Sequence, residues 1–261
     1  MTLYSNEERG AKTSMVAQRA TRILDKDTWR CIVQDIEAIV NVYRRMNKIM
    51  SLGLADKIRV EALKTLCNGL EGGLNDKPII LADIGAGPGD SIKTIINVCR
   101  GVSYIIALDP SSRLLANIEP SMLCERVVAV AEYLPLRPRS ITFATAFYAA
   151  RDFQNLDQAI QEIVRTISRG GIAIGDIFLP DRTLNNIAVK IWVCVFVPLL
   201  AIMFATKQWR HYTGLCKSLK GWLSVKKLCN IIKQTDRENT IRTHCREYAL
   251  GGLGYVVARY N

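Results

Sequence analysis

One stretch constrains this chain more than any other: Ile79-Ile80-Leu81-Ala82-Asp83-Ile84, running into Gly85-Ala86-Gly87-Pro88-Gly89 and then Asp90-Ser91. The apolar run reads as a buried strand. Glycine at alternate positions serves a turn where the backbone bends sharply or approaches a ligand, because a Cβ would clash there. A helix follows, and the alternation continues. Short apolar runs at 104–108, 127–130, 141–147 and 172–177 are accompanied by helical patterns at 90–99 and 156–167. Buried strands alternating with helices imply an α/β fold whose parallel sheet is covered on both faces.

Upstream, Ile32, Ile36, Ile39, Val40, Tyr43, Met46 and Met50 recur at three and four residues, one apolar helical face from Thr28 onward. A second helix is expected from Leu54 to Cys67, closed by Asn68-Gly69. The first dozen residues are polar and expected to be weakly ordered. The stretch LEGGLNDKP reads as a linker. Residues 1–70 thus form an N-terminal helical cap, 77–180 the core, 181–236 an apolar and basic helical lid, and 237–261 closing strands around LGGLG, all within one structural domain.

The 261 residues carry 35 Lys and Arg against 24 Asp and Glu, a net charge of +11, and 49% are hydrophobic. So much apolar material excludes a disordered, collagen-like or coiled-coil chain. Nucleic acid would account for the charge alone; an anionic membrane surface would account for charge and apolarity together. Residues 191–205 are fifteen in a row without a charge, fewer than the about twenty of a spanning helix. Pro198 is expected to kink or break that helix, which reads as a lid packing on an apolar tail or dipping into the membrane interface, with a buried core helix as the alternative. Eight cysteines without a CxxC pair suggest neither a zinc site nor a disulfide framework, and MTLYSNEERGAKTS lacks the apolar stretch of a secretory signal. A cytoplasmic protein with reduced, buried thiols is expected.

About twenty residues beyond the glycine turn the next strand ends at Leu108-Asp109, where a carboxylate can accept both hydroxyls of a ribose. The turn is GxGxG rather than GxGxxG, with Asp83 before it and Asp90 at the helix start, which repel phosphate. An acidic turn suits a cationic ligand with a free amino group, such as S-adenosylmethionine.

With these features the chain resembles the class I S-adenosylmethionine-dependent methyltransferases, and within them the family that C-methylates the quinol ring of ubiquinone and menaquinone precursors. DIGAGPGD is similar to the family's first motif, ALDPSSRLL to its second, and AEYLPL to the AEALPF that flanks adenine. FYAARDFQNLDQAIQEIVRTISRGG resembles a family pattern that opens FGLRNF and closes on PGG, and YRRMNKIMSLG, from Tyr43 to Gly53, resembles YDxMNxxMSxG. Residues 209–219 are similar to the family's YxYLxxSI segment and 249–258 to its closing hairpin. The sequence departs from the pattern at Arg44, where the family has an acid, at Val130, where many relatives place a polar partner for adenine, and at Arg169 of RGG.

The resemblance implies a Rossmann-like, seven-stranded sheet with an antiparallel C-terminal strand. It implies S-adenosylmethionine held by Asp83, Gly85, Ala86, Gly87, Pro88, Gly89, Asp109, Pro110, Ala131, Glu132, Phe147 and Asn47, with no metal. The acceptor implied is a prenylated quinol at the anionic inner face of a membrane, in a cytoplasmic peripheral protein that meets no nucleic acid and is either monomer or homodimer. Arg151 stands at the arginine of the family's LRN, which assists deprotonation. Arginine is a poor base, so phenolate stabilisation or water orientation is expected of it, with Asp152 as auxiliary; a structural ion pair with Asp152 or Asp157 is the alternative. Tyr43 and Asn47 lie one helical turn apart and face the ligand, or Tyr43 packs in the core. His211 reads as a surface histidine among Arg210 and Lys217, with a reach into the quinol pocket from the segment 209–212 as the alternative, and the cysteines receive no role. Two further readings stay open: a same-fold methyltransferase for another apolar molecule or RNA, and a non-catalytic cofactor-binding scaffold for quinone biosynthesis.

Overall fold

A computed structural model describes residues 23–68, 78–235 and 240–260. The first dozen residues and nearly all of the expected linker lie outside them. Asp25 caps α1 (Lys26–Ala38), its carboxylate accepting the Thr28 N–H at 2.9 Å. The single helix expected from Thr28 to Met50 is instead two. Ile39 (φ −100°, ψ 3°) separates α1 from α2 (Val40–Met50), because α1 roofs the sheet while α2 packs Met46 against Val197, Ala201 and Tyr212 further along the chain. Gly53, at φ 77°, then starts α3 (Leu54–Cys67).

The core follows as β1 (Ile79–Ile84), α4 (Ile92–Val98), β2 (Val102–Asp109), α5 (Ser112–Leu115), β3 (Cys124–Val128), β4 (Ile141–Phe147), α6 (Leu156–Thr166) and β5 (Ile167–Ile177). The lid contributes α7 (Thr183–Ile191), α8 (Val197–Phe204), α9 (Thr213–Ser218) and α10 (Val225–Thr235), and the chain closes with β6 (Ile241–Tyr248) and β7 (Leu253–Tyr260). The seven strands form one sheet in the order β3-β2-β1-β4-β5-β7-β6. All neighbours are parallel except β7, antiparallel to both β5 and β6. One core joins β1, β4, β5 and β7 to α6 and α10; the other covers the opposite face with α3 and α4.

Pro198 does not break the lid helix. Thr183–Phe204 is one helical run of 22 residues, long and apolar enough to cross a membrane. Trp192–Phe196 forms a π turn in which the Val197 N–H reaches Trp192 O. Proline donates no N–H, so a wider turn just before it accommodates the ring while the helix continues.

The cysteines also depart from expectation. Cys67 is bonded to Cys99 and Cys194 to Cys216, across 32 and 22 residues. Such separations leave no local spacing to read; packing of α3 on α4 and of the π turn on α9 brings the Cα atoms to 5.5 and 5.0 Å. Of the four thiols, Cys229 is buried and Cys31 exposed. Alkylation of the unfolded, unreduced protein should therefore label four of its eight cysteines, and mass spectrometry showing all eight labelled would contradict both bridges.

Candidate functional site

The carboxyl ends of β1, β2 and β4 open onto one cleft, where the strand order reverses between β1 and β4. A Cβ on Gly85 (φ 71°) would overlap that of Ala149, whereas Gly87 (φ 53°) has nothing within 4 Å of its would-be Cβ. The first glycine therefore serves packing and the second leaves room beside the turn. Asp109 ends β2. Its Oδ2 accepts the Gly87 N–H and its Oδ1 the Ser111 N–H, both at 2.9 Å, so one carboxylate ties the glycine turn to the second strand. Burial raises the Asp109 pKa against the pull of those two N–H groups.

The cleft is walled by the glycine turn, Asp109, Pro110, Val130, Ala131, Glu132 and Asp152, and roofed by Trp29, Ile32, Val33 and Ile36 of α1. Three lining residues are acids and none of the described lining is Lys, Arg or His. Of the residues named for the cofactor, Gly85, Gly87, Pro88, Asp109, Pro110, Ala131 and Glu132 line this cleft. Ala86 and Phe147 are instead packed in the core beneath α3, Gly89 abuts Ile118, and Tyr148 and Ala149 line the cleft where Phe147 was expected. Glu132 Oε1 accepts the Asn155 N–H at 3.0 Å, at the start of α6. Arg44 of α2, the departure from the family's acid, pairs with Asp90 at 2.9 Å, and Ser111 is hydrogen-bonded to Glu37 of α1, which ties the roof to the start of α5.

Past Tyr43, Tyr148 and Asp152 the cleft adjoins a chamber that also holds Asn47, Arg151, His211 and Ser218. Arg151 is buried. Its Nη1 donates to Asp176 Oδ1 at 2.5 Å and to Tyr148 O at 2.9 Å, its Nε donates to Ser218 Oγ at 3.3 Å, and its Nη2 lies 3.3 Å from Asp152 Oδ2. Burial opposes the charge, but Asp152 and Asp176 outweigh it and raise the guanidinium pKa above its ordinary value. The second carboxylate is thus Asp176, not Asp157. Its signal in the sequence was a lone charge inside the apolar run 172–177.

His211 is not a plain surface residue. Its Nδ1 lies 2.8 Å from Asp35 Oδ1, and both line the chamber. No motif links residues 176 positions apart. Beyond Asn47, Met50 and Leu215 the chamber meets an apolar cavity of about 320 Å³ under the lid helix, lined by Val189, Trp192, Val193, Leu54 and Leu253.

Asp83 lies under the cleft rather than in its lining. Its Oδ1 accepts the Thr145 hydroxyl at 2.7 Å, and its buried Oδ2 has no partner among the described residues. Burial pushes its pKa from 3.8 up to about 6. A carboxyl held higher in the folded than in the unfolded state stabilises fully below 3.8, and that contribution is lost as pH rises through about 6. Asp83→Asn should flatten the stability profile over that window by on the order of 3 kcal/mol. Chemical denaturation at several pH values checks this, and an unchanged slope would contradict it.

A profile of the ubiE/COQ5 methyltransferase family matches residues 24–244. The demethylmenaquinone methyltransferase of Chlorobaculum tepidum is 26% identical over 200 residues, 76% of this chain and 80% of that one. The ubiquinone/menaquinone biosynthesis C-methyltransferase UbiE of Campylobacter jejuni is 28% identical over 149 residues, so this chain spans 61% of that relative's length, using 55% of its own. Among solved structures, the plantazolicin methyltransferase BpumL superposes with a TM-score of 0.58 at 9% identity, over 91% of this chain and 100% of that one. A putative methyltransferase from an antibiotic biosynthesis pathway of Anabaena variabilis gives 0.50 at 21% identity, over 72% and 63%. The structural likenesses speak for the fold alone. The family match covers most of the sequence, glycine turn and chamber included: the chain belongs to the ubiE/COQ5 methyltransferase family.

Proposed function

We propose that this methyltransferase transfers a methyl group from S-adenosylmethionine to a ring carbon of a prenylated quinol of the ubiquinone or menaquinone type. The carrying observation is a succession of three adjoining spaces. An acidic cleft without a cationic side chain meets a chamber with Arg151 and the His211–Asp35 pair, which meets an apolar cavity of about 320 Å³. A cationic cofactor, an ionisable ring and a hydrocarbon tail need such spaces in that order.

The cleft fits the cofactor: Asp109 suits a ribose, the unpartnered Asp83 oxygen suits an ammonium reached directly or through water, and the space at Gly87 admits a ligand close to the backbone. When bound, S-adenosylmethionine supplies an electrophilic methyl group. The chain's residues then make the acceptor nucleophilic and align it. A quinol ring carbon would become nucleophilic once its hydroxyl loses a proton, and the hydrogen on that carbon would leave as a proton after methylation, which restores the aromatic ring and the hydroxyl. Arg151, fixed as a cation by Asp152 and Asp176, stabilises the resulting oxyanion. Burial lifts the Tyr43 pKa, against the nearby Arg151 charge, so the phenol stays protonated and donates a hydrogen bond. The imidazole of His211, oriented by Asp35, takes the proton.

A membrane-bound acceptor calls for a peripheral, cytoplasmic enzyme. Incubating the protein with S-adenosylmethionine and demethylated prenyl quinols should add one methyl to the ring by mass spectrometry; no gain with any quinol removes this acceptor. Asp109→Ala should weaken cofactor binding in calorimetry about tenfold or more, and wild-type affinity would release Asp109 from the ribose. His211→Gln should lower kcat by about 10²–10⁴-fold with cofactor affinity kept; an unchanged kcat would assign the proton elsewhere.

A further inference from the structure

The helix Thr183–Phe204 is apolar on two faces, and only one of them is buried by the protein. Val189, Val193, Val197 and Ala201, at four-residue spacing, face inward onto α2 and the apolar cavity. On the outside, Leu184, Ile187, Ile191, Leu199, Ile202 and Met203 are each about half exposed or more, and only 22% of the helix's apolar stretch is buried. A core helix would be mostly covered, and such a continuous apolar face marks an interaction site.

Two loops extend the face at the cavity rim. Leu52 and Leu250 are 76% and 65% exposed, and both hold positive φ, 51° and 58°. A left-handed leucine costs roughly 1–2 kcal/mol, a cost that presenting a large apolar side chain to water does not offset. Charge names the partner. The lid, residues 181–236, carries nine Lys and Arg against two Asp, a net +7 of the chain's +11; Lys190, on the helix itself, and Lys207, just beyond its end, are exposed.

We propose that the outer face of this helix, with Leu52 and Leu250, docks flat on an anionic lipid bilayer, so that the apolar cavity opens toward the acyl chains. The helix lies in the interface rather than crossing it. Its inner stripe is committed to α2, and the Cys194–Cys216 bridge fastens its middle to α9. Lys190 reaches outward to headgroups along its own aliphatic stem. Delivery of an acceptor tail through the rim rests on the quinol reading above; docking itself does not.

Flotation of the purified protein tests this. With vesicles of phosphatidylcholine mixed with phosphatidylglycerol the wild type should float, with pure phosphatidylcholine it should largely sink, and salt should weaken binding. Leu199→Glu combined with Ile202→Glu should reduce flotation by about tenfold or more with an unchanged melting temperature, since both side chains are half exposed. A wild type that sinks with both lipids overturns the proposal, as does a double variant that floats like wild type. So does one that loses a dimer in size exclusion while flotation stays the same, which would make the face a contact between copies. Protein that resists a carbonate wash would be spanning, and also overturns it. Protein that floats but methylates no quinol leaves docking intact and removes the acceptor; protein that methylates a tail-less quinol and never floats does the reverse.

Discussion

The buried guanidinium of Arg151 is the point on which the rest of the site depends. It bonds to the end of β5 through Asp176, to the end of β4 through Tyr148 O, to Asp152 between cleft and chamber, and to the lid through Ser218. Removing one partner of such a pair leaves an uncompensated buried charge, typically at about 3–5 kcal/mol. One side chain therefore fixes where the sheet ends, where the chamber begins and how α9 sits above it. Its backbone N–H also bonds Asp176, at 3.1 Å, so the turn after β4 is held from both its main chain and its side chain.

Asp109 does the equivalent at the cleft, fastening the glycine turn to β2 through two N–H groups. Between these two anchors Glu37 of the roof helix α1 bonds Ser111, and Arg44 of α2 pairs with Asp90. The arginine that departs from the family's motif closes α2 onto the acid that follows the glycine turn, where the sequence alone offered only a mismatch.

The glycine turn, Asp109 and the strand alternation were legible because each lies in a contiguous run whose spacing is dictated by local geometry. The chamber was only half legible. Tyr43 and Asn47 share a helix face, and Arg151 follows a recognisable strand end, but Asp176 and the His211–Asp35 pair join elements far apart in the chain. The break at Ile39 ran against local expectation, and at Pro198 the helix is distorted rather than broken, for a related reason. In the first, two surfaces demand different directions of one apolar stripe; in the second, a π turn absorbs the proline.

The sequence by itself determined the layered α/β architecture, the acid-flanked glycine turn and the family, because hydrophobic period, glycine placement and motif order are properties of neighbouring residues. Tertiary structure alone decided which carboxylate meets Arg151, which residue orients His211, which cysteines bond, and which side of the lid helix faces out. Those outcomes depend on distances between segments, set by packing across the sheet and under the lid, and no local pattern encodes them.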